Sequence, residues 1–286
     1  MIENSQPKPK VIQPTAPRPN SKRISLVTKP RKILRSVLGA LAVITIYSLA
    51  TLNNSNLNLM DAFKSLGVNL NAMFLHPTVG QDSWNILLRA LVTSVSLAML
   101  TTLLGALIAF FIAVGAARNL APTWLATTIK AVMAFIRAIP TILWVLIYSV
   151  VMGLGASAAV VGLTFHSVAY LVKAYSESIE ETPQDTIEAL KASGVGFWPI
   201  VFQAILPSII PALLSWTFIR FEINFANAVA VGAAAGADDI GYYLFMAGSF
   251  YFNFHEVGLI VYLLLAVAVV LELVSMKLRG HYLKNN

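Results

Sequence analysis

Cysteine is absent from this 286-residue chain, which removes disulfides, thiolate metal sites and cysteine nucleophiles from consideration. Charge is scarce as well: Asp, Glu, Lys and Arg make up 12% of the residues, about half the roughly 25% of a soluble globular domain. No GxxxxGK[ST] phosphate loop occurs, so ATP, if it drives this protein, is bound by another chain. His76, His255 and His281 are scattered and form no metal constellation, and no nucleophile is paired with a base, so catalytic residues and a metal site are both read as none. Acids are missing from the start of the chain, where nine Lys or Arg between Lys8 and Arg35 face only Glu3.

What is present is apolar. Hydrophobic residues reach 57% and the mean hydropathy is +0.74, which points to an all-α integral membrane protein. Residues 1–32 are basic and contain six prolines, and they read as a disordered tail. Next to a span, such a tail marks the cytoplasmic side more simply than it marks a nucleic-acid site. The run 33–52 is expected to be an uncleaved first span, despite the small-x-small sequence Ser48-Leu49-Ala50. A polar outer stretch within 33–83 contains a possible surface helix over Leu59–Leu75. Five more spans follow in a core over 84–280: 86–117, 124–152, 156–172, 200–231 and 257–276. Six spans place both basic termini on one side, and the loops then assigned to that side hold Arg118, Lys173 and Lys191. Gly105 and Ala109 form a small-xxx-small pair suited to close helix packing.

Within this apolar chain, 173–199 is an acidic island. Thr182 is expected to cap a helix that starts at Pro183, with Asp185 at its third position. The helix should stop at Gly194, in the left-handed conformation. On a helical wheel Ile187, Leu190 and Lys191 share one side, while Asp185, Glu188, Ala189 and Ala192 occupy the other. Small alanines beside two carboxylates make a surface that another protein can approach closely.

Ionisable groups in the middle of a span cost about 2.5–3.5 kcal/mol on insertion scales and mark candidate function. Arg137, Arg220 and Glu222 are such groups, with Asn224 nearby and His166 in the fourth span. Two readings stay open. Arg220 or Arg137 pairs with Glu222 and holds helices together, or the guanidiniums border a path for a polar, anionic solute. His166 alone reads as a packed histidine. Asp238 and Asp239, in an outer loop over 232–256, read as solvated carboxylates.

The spacing Glu188-Ala189, Gly194, Leu206-Pro207 resembles the EAA coupling motif of membrane subunits of bacterial ABC importers, with Leu190 and Ala204 departing from it. Further stretches resemble the phosphonate and phosphite permease branch: Arg137-Ala138-Ile139-Pro140 with Trp144, Gly153-Leu154-Gly155, His166 to Glu181, Arg220 to Asn224, and Ile240-Gly241-Tyr242. The resemblance implies a type I ABC importer permease fold in the bacterial inner membrane, with about six transmembrane helices and a cytoplasmic coupling helix. It implies a homodimer of permeases, two ATP-binding subunits carrying ATP and Mg, an extracytoplasmic solute-binding protein and no nucleic acid. Asp185, Glu188, Ala189, Ala192, Gly194, Leu206 and Pro207 would couple to the ATPase, and Arg137, His166, Arg220, Glu222 and Asn224 would line the path for a phosphorus oxyanion. Ala226 stands where that branch commonly carries Arg, and Asp238-Asp239 where it carries Gly-Gly, which weakens the case for an anion. The alternative is an ion-coupled secondary transporter. Under the importer reading, replacing Glu188, or Gly194 by a bulky residue, abolishes solute-stimulated ATPase activity while membrane insertion, followed by fractionation, persists.

Overall fold

The computed structural model describes residues 29–51 and 58–283, and every regular element among them is helical. The expected disorder of 1–32 falls almost wholly outside the described residues. Helix α1 (Lys29–Thr51) belongs to a unit of its own, and its apolar stretch Arg31–Thr51 is 21 residues, long enough to cross a membrane.

The second unit begins within α2 (Leu59–Leu75), at the bounds expected of the amphipathic stretch. It continues through α3 (Trp84–Ala116), α4 (Thr123–Ala138), α5 (Thr141–Met152), α6 (Ala156–Glu180) and α7 (Gln184–Ala192). A single turn α8 (Phe197–Pro199) runs through a π turn (Ile200–Ile205) into α9 (Leu206–Ala235), one apolar run of 39 residues. Helix α10 (Ile240–Phe245), a second π turn (Met246–Phe250) and α11 (Phe254–Leu283) complete the chain. The stretch 232–256, expected to be a loop, thus holds a short apolar helix.

Among the described residues five helices can cross a bilayer by length and composition, or six if α4 and α5 are one span. They are not one straight span: the two axes differ by 88°. Pro140 is the cause, because a proline disfavours helical geometry in the residue before it and donates no N–H. Ile139 is accordingly extended at φ −92°, ψ 126°. Arg137, expected in mid-span, instead lies in the last turn of α4, beside the break.

Three apolar clusters hold the second unit together, and α3 runs through all of them over about 50 Å. At one end of α3, Ala109, Ala113 and Ala116 pack with Val172, Tyr175 and Ile179 of α6, Ile187 of α7 and Ile200 to Ile209. At its other end Leu87 and Ala90 pack with Phe225, Ile240 and Ile260. Small residues allow the closeness. At Gly105 an added Cβ would lie 2.8 Å from that of Ser167, and at Gly162 it would lie 2.7 Å from the Val145 backbone.

The π turn has a local reason. Pro207 removes an N–H and its ring would crowd the carbonyl four residues back, so the chain widens, and Leu206 bonds to the Val201 carbonyl five residues earlier.

The end of the unit away from α7 is closed by Glu256, which is wholly buried. Its two oxygens accept the backbone N–H groups of Gln81 at 3.1 Å and Asp82 at 3.0 Å, and Asn253 Nδ2 donates at 3.3 Å. Tyr262 donates to the Phe74 carbonyl at 2.8 Å, seating α2 on α11. Burial, and then the neighbouring Glu256 charge, push the Asp82 carboxyl above its usual range. Replacing Glu256 by Ala strands two backbone donors, so it should cost about 2–4 kcal/mol, measured as a lowered unfolding midpoint in detergent, whereas Gln retains part of the stability.

Candidate functional site

The buried polar residues of α3, α6 and α9 meet in one cluster around Ser167, Arg220 and Asn224, which are 0%, 1% and 0% exposed. Thr101 and Thr102 donate their hydroxyl protons to carbonyls of their own helix, Leu97 at 2.8 Å and Ala98 at 2.6 Å, which leaves both oxygens free to accept. Asn224 Nδ2 donates to Thr102 Oγ1 at 2.8 Å, Ser167 Oγ at 2.9 Å and Thr101 Oγ1 at 3.3 Å. Ser167 also accepts from Arg220 Nε at 3.0 Å. Arg220 lies against the Tyr170 ring, 5.2 Å from its centroid, and a terminal nitrogen meets His166 Nδ1 at 3.1 Å. A guanidinium can only donate, so His166 Nδ1 is an acceptor and the ring is neutral with its proton on Nε2. That ring also bonds the backbone of Arg137, whose guanidinium donates to the Ala169 carbonyl at 3.0 Å.

Arg220, His166, Asn224 and Arg137 are therefore brought together, and Glu222 is not. Among the described residues neither guanidinium has a carboxylate partner; the ion pairs near them are Lys130–Glu180 at 2.7 Å and Lys173–Glu177 at 3.8 Å. Of the two readings left open, the pairing of Glu222 with an arginine does not occur among the described residues, because two residues along α9 turn its side chain about 200° away from that of Arg220. Glu222 lines a groove of about 460 Å³ between α9 and α11 with Phe225, Val261 and Leu265, and its Oε1 is buried without a partner. Thr101, Thr102, Ser167 and Tyr170 were not singled out in the sequence. Their signal was the need of a mid-span Asn amide for acceptors on neighbouring spans.

The acidic island folds as a short projecting helix. Ile187 is wholly buried and Leu190 half-buried, while Asp185, Glu188, Ala189 and Ala192 are all exposed. Thr182 is not its cap: Pro183 takes the N-cap position, no side chain caps the helix, and α7 begins one residue later than expected. The far end matches the expectation. Gly194 has φ +79°, its N–H reaches the Lys191 carbonyl and that of Val195 the Leu190 carbonyl, the paired bonds of a Schellman ending. Leu206 and Pro207 open α9 beyond the π turn. Below α7, Glu180 Oε1 accepts the Arg118 N–H at 2.7 Å and Lys130 Nζ at 2.7 Å. Asn119 Nδ2 donates to the Ile179 carbonyl at 2.8 Å. These bonds tie the α3–α4 turn to the foot of α6 and hold the Glu180 end of the island in register with the bundle.

Asp238 and Asp239 are not a solvated pair. Asp238 has φ +51° and accepts from the Tyr243 hydroxyl at 2.8 Å. Asp239 is wholly buried and caps α10, its Oδ1 accepting from Gly241 at 3.0 Å and Tyr242 at 3.2 Å, while its Oδ2 has no partner. The carboxylate rests on Gly232, where any Cβ would collide with it. Burial raises its pKa to about 6, against the opposing pull of the two cap N–H groups.

The family model for the binding-protein-dependent transport system inner membrane component matches residues 105–282. The phosphite transport system permease protein PtxC of Stutzerimonas stutzeri is 28% identical over 71% of this chain and 72% of its own length. The phosphate-import permease protein PhnE of Mycolicibacterium smegmatis is 28% identical over 66% of this chain, but the match spans only 35% of that longer protein. Among solved structures, a chain of the inward-facing MetNI methionine ABC transporter aligns with a TM-score of 0.63 at 20% identity, covering 71% of this chain and 99% of that one. A chain of a bacterial ABC transporter that imports the acidic polysaccharide alginate aligns at 0.60 and 14% identity, covering 88% and 98%. These two likenesses establish the fold.

The Asp239 geometry yields a pH dependence. The folded-state pKa lies above the unfolded value, so the stabilising contribution is complete below about pH 4 and is lost as pH rises through about 6. Asp239→Asn keeps the cap acceptor and removes the charge. It should flatten the stability profile between these pH values and gain about 1–3 kcal/mol relative to wild type at pH 7, measured by denaturation in detergent across the range.

Proposed function

The chain belongs to the family of binding-protein-dependent transport system inner membrane components, and from that premise we propose that it forms the path by which a phosphorus oxyanion crosses the membrane. As a member it is a membrane-spanning ABC importer subunit and not an enzyme, ATP hydrolysis residing on a separate subunit; family membership replaces the alternative of an ion-coupled secondary transporter. One observation carries the choice of solute. Arg220 sits inside an apolar bundle at 1% exposure with no carboxylate to balance it. Uncompensated buried charge is costly, and an oxyanion arriving between Arg220, His166 and Arg137 supplies the missing negative charge and acceptors. The permeases for phosphite and phosphate import noted above handle this class of anion.

In this reading two copies pair around a central path, with both termini and α7 in the cytoplasm. An extracytoplasmic binding protein presents the solute. Two ATP-binding subunits, carrying ATP and Mg, dock on the faces formed by Asp185, Glu188, Ala189 and Ala192. Because Ile187 is sealed into the same cluster as Ala116, Ile179 and Ile200, a push on α7 moves α3, α6 and the start of α9 as one body, which is the element alternating access requires.

The test is uptake by proteoliposomes containing this chain, its ATPase and its binding protein, comparing phosphite, methylphosphonate and phosphate with sulfate and with an uncharged control. Arg220→Gln should lower uptake of the phosphorus oxyanion by about ten- to a hundredfold, while Arg220→Lys retains more of it. Equal uptake of the uncharged control, or undiminished uptake by Arg220→Gln, would defeat the assignment.

A further inference from the structure

A second chamber lies between α4 and α6, on the α7 side of the Arg220 cluster. On α4, Lys130, Met133 and Arg137 recur at helical spacing; on α6, Lys173, Glu177 and Glu180 do the same, so each set forms one stripe. The stripes face each other across a cavity of about 120 Å³ lined by Lys130, Met133, Arg137, Val172, Lys173 and Glu177. Both acids are claimed: Glu180 by Lys130 at 2.7 Å, and Glu177 by Lys173 at 3.8 Å. The second pair is loose, its side chains 56% and 54% exposed. Arg137 spends one donor on the Ala169 carbonyl and meets no carboxylate. His166 separates this chamber from Arg220, its ring bonded to the Arg220 side chain on one side and to the Arg137 backbone on the other.

We propose that this chamber binds one tetrahedral oxyanion of the phosphate class between Arg137 and Lys173. The charges favour it: three cations meet two acids, and the unbalanced one is the residue with the planar, multi-donor head suited to phosphate. The size limits it. A water molecule occupies about 30 Å³ in the liquid, so the cavity holds roughly four, room for orthophosphate or a small phosphonate but not for a nucleotide. Two sources supply this chemistry, the headgroup phosphate of an anionic lipid and a free oxyanion. The second rests on the solute reading above and would make the chamber a station between the Arg220 cluster and the α7 end.

The test labels the full chain, in nanodiscs of phosphatidylcholine, with a lysine-acylating reagent and reads Lys130, Lys173 and the remote Lys64 by mass spectrometry. Inorganic phosphate or methylphosphonate is titrated against chloride at constant ionic strength. Lys173 is expected to be protected and Lys64 unaffected, and Arg137→Gln should raise the anion concentration needed by about tenfold or more. Nanodiscs containing phosphatidylglycerol separate the sources. Protection there without added anion assigns the site to a headgroup, and protection only on adding anion assigns it to the free oxyanion. Lys173→Gln, with Lys130 as reporter, repeats the measurement in a variant that keeps the Arg137–Ala169 contact. Unchanged labelling of both lysines under every condition, or protection that neither variant weakens, overturns the proposal. The assay uses neither ATPase nor binding protein, so failure of the chamber and failure of the importer reading are observed separately.

Discussion

Inside a bilayer a polar group has no water to fall back on, and the structure is arranged around satisfying the Arg220 guanidinium and the Asn224 amide under that condition. Their partners come from α3 and α6, helices that also pack closely through a small residue, with Gly105 against Ser167. Close packing and hydrogen bonding therefore act together. The threonines can serve as acceptors only because each hydroxyl proton goes to a carbonyl one turn back, and they reach α9 only because α3 and α6 are nearly in backbone contact. Among the described residues the one demand of the guanidinium left unmet is a counter-charge, which the proposed oxyanion would supply.

The irregular points of the helices carry the rest of the design. Pro140 turns the chain by 88° and leaves Arg137 at a helix end, where its guanidinium reaches the Ala169 carbonyl on α6. Gly194 ends α7 so that the island projects Asp185, Glu188, Ala189 and Ala192 while keeping Ile187 in the core. Asp239 starts α10 against Gly232, a contact that only glycine permits. Each places a side chain where a straight helix would not.

Much of this was legible in the sequence because the bilayer imposes length and composition on what crosses it. The helical class, the helix over Leu59–Leu75, the two faces of α7 and the glycine that ends it all followed from periodicity and from φ preferences that belong to single residues. Relationships between elements were harder to read. The 88° bend was hidden because the stretch on both sides of Pro140 is apolar enough overall to read as one span, although Arg137 and Thr141 flank the proline. Glu222 was grouped with Arg220 because the two are neighbours in the chain, although helical geometry sets them on different sides. Asp239 read as solvated because burial of a carboxylate in a Gly-rich loop depends on what Gly232 leaves open, and no local pattern records that. Ser167 and the two threonines were overlooked for a related reason: a hydroxyl in an apolar span satisfies itself on its own helix and announces no partner.

The π turn at Ile200–Ile205 has a consequence for how this region can change. Ile200 and Ile205 are both buried, at 2% and 1% exposure, yet a regular helix would set residues five apart about 140° from each other. The widened turn takes up that phase error, so the foot of the long helix and its Arg220-bearing upper part keep separate angular frames. Deleting one residue there would remove the extra residue that the wide turn absorbs and restore ordinary winding with Arg220 still facing Ser167, whereas a deletion in the regular helix above it would rotate the guanidinium by about 100°. A change in residue count at the wide turn can accordingly be absorbed without re-aiming the guanidinium, whereas the count between Pro207 and Arg220 is held fixed by it.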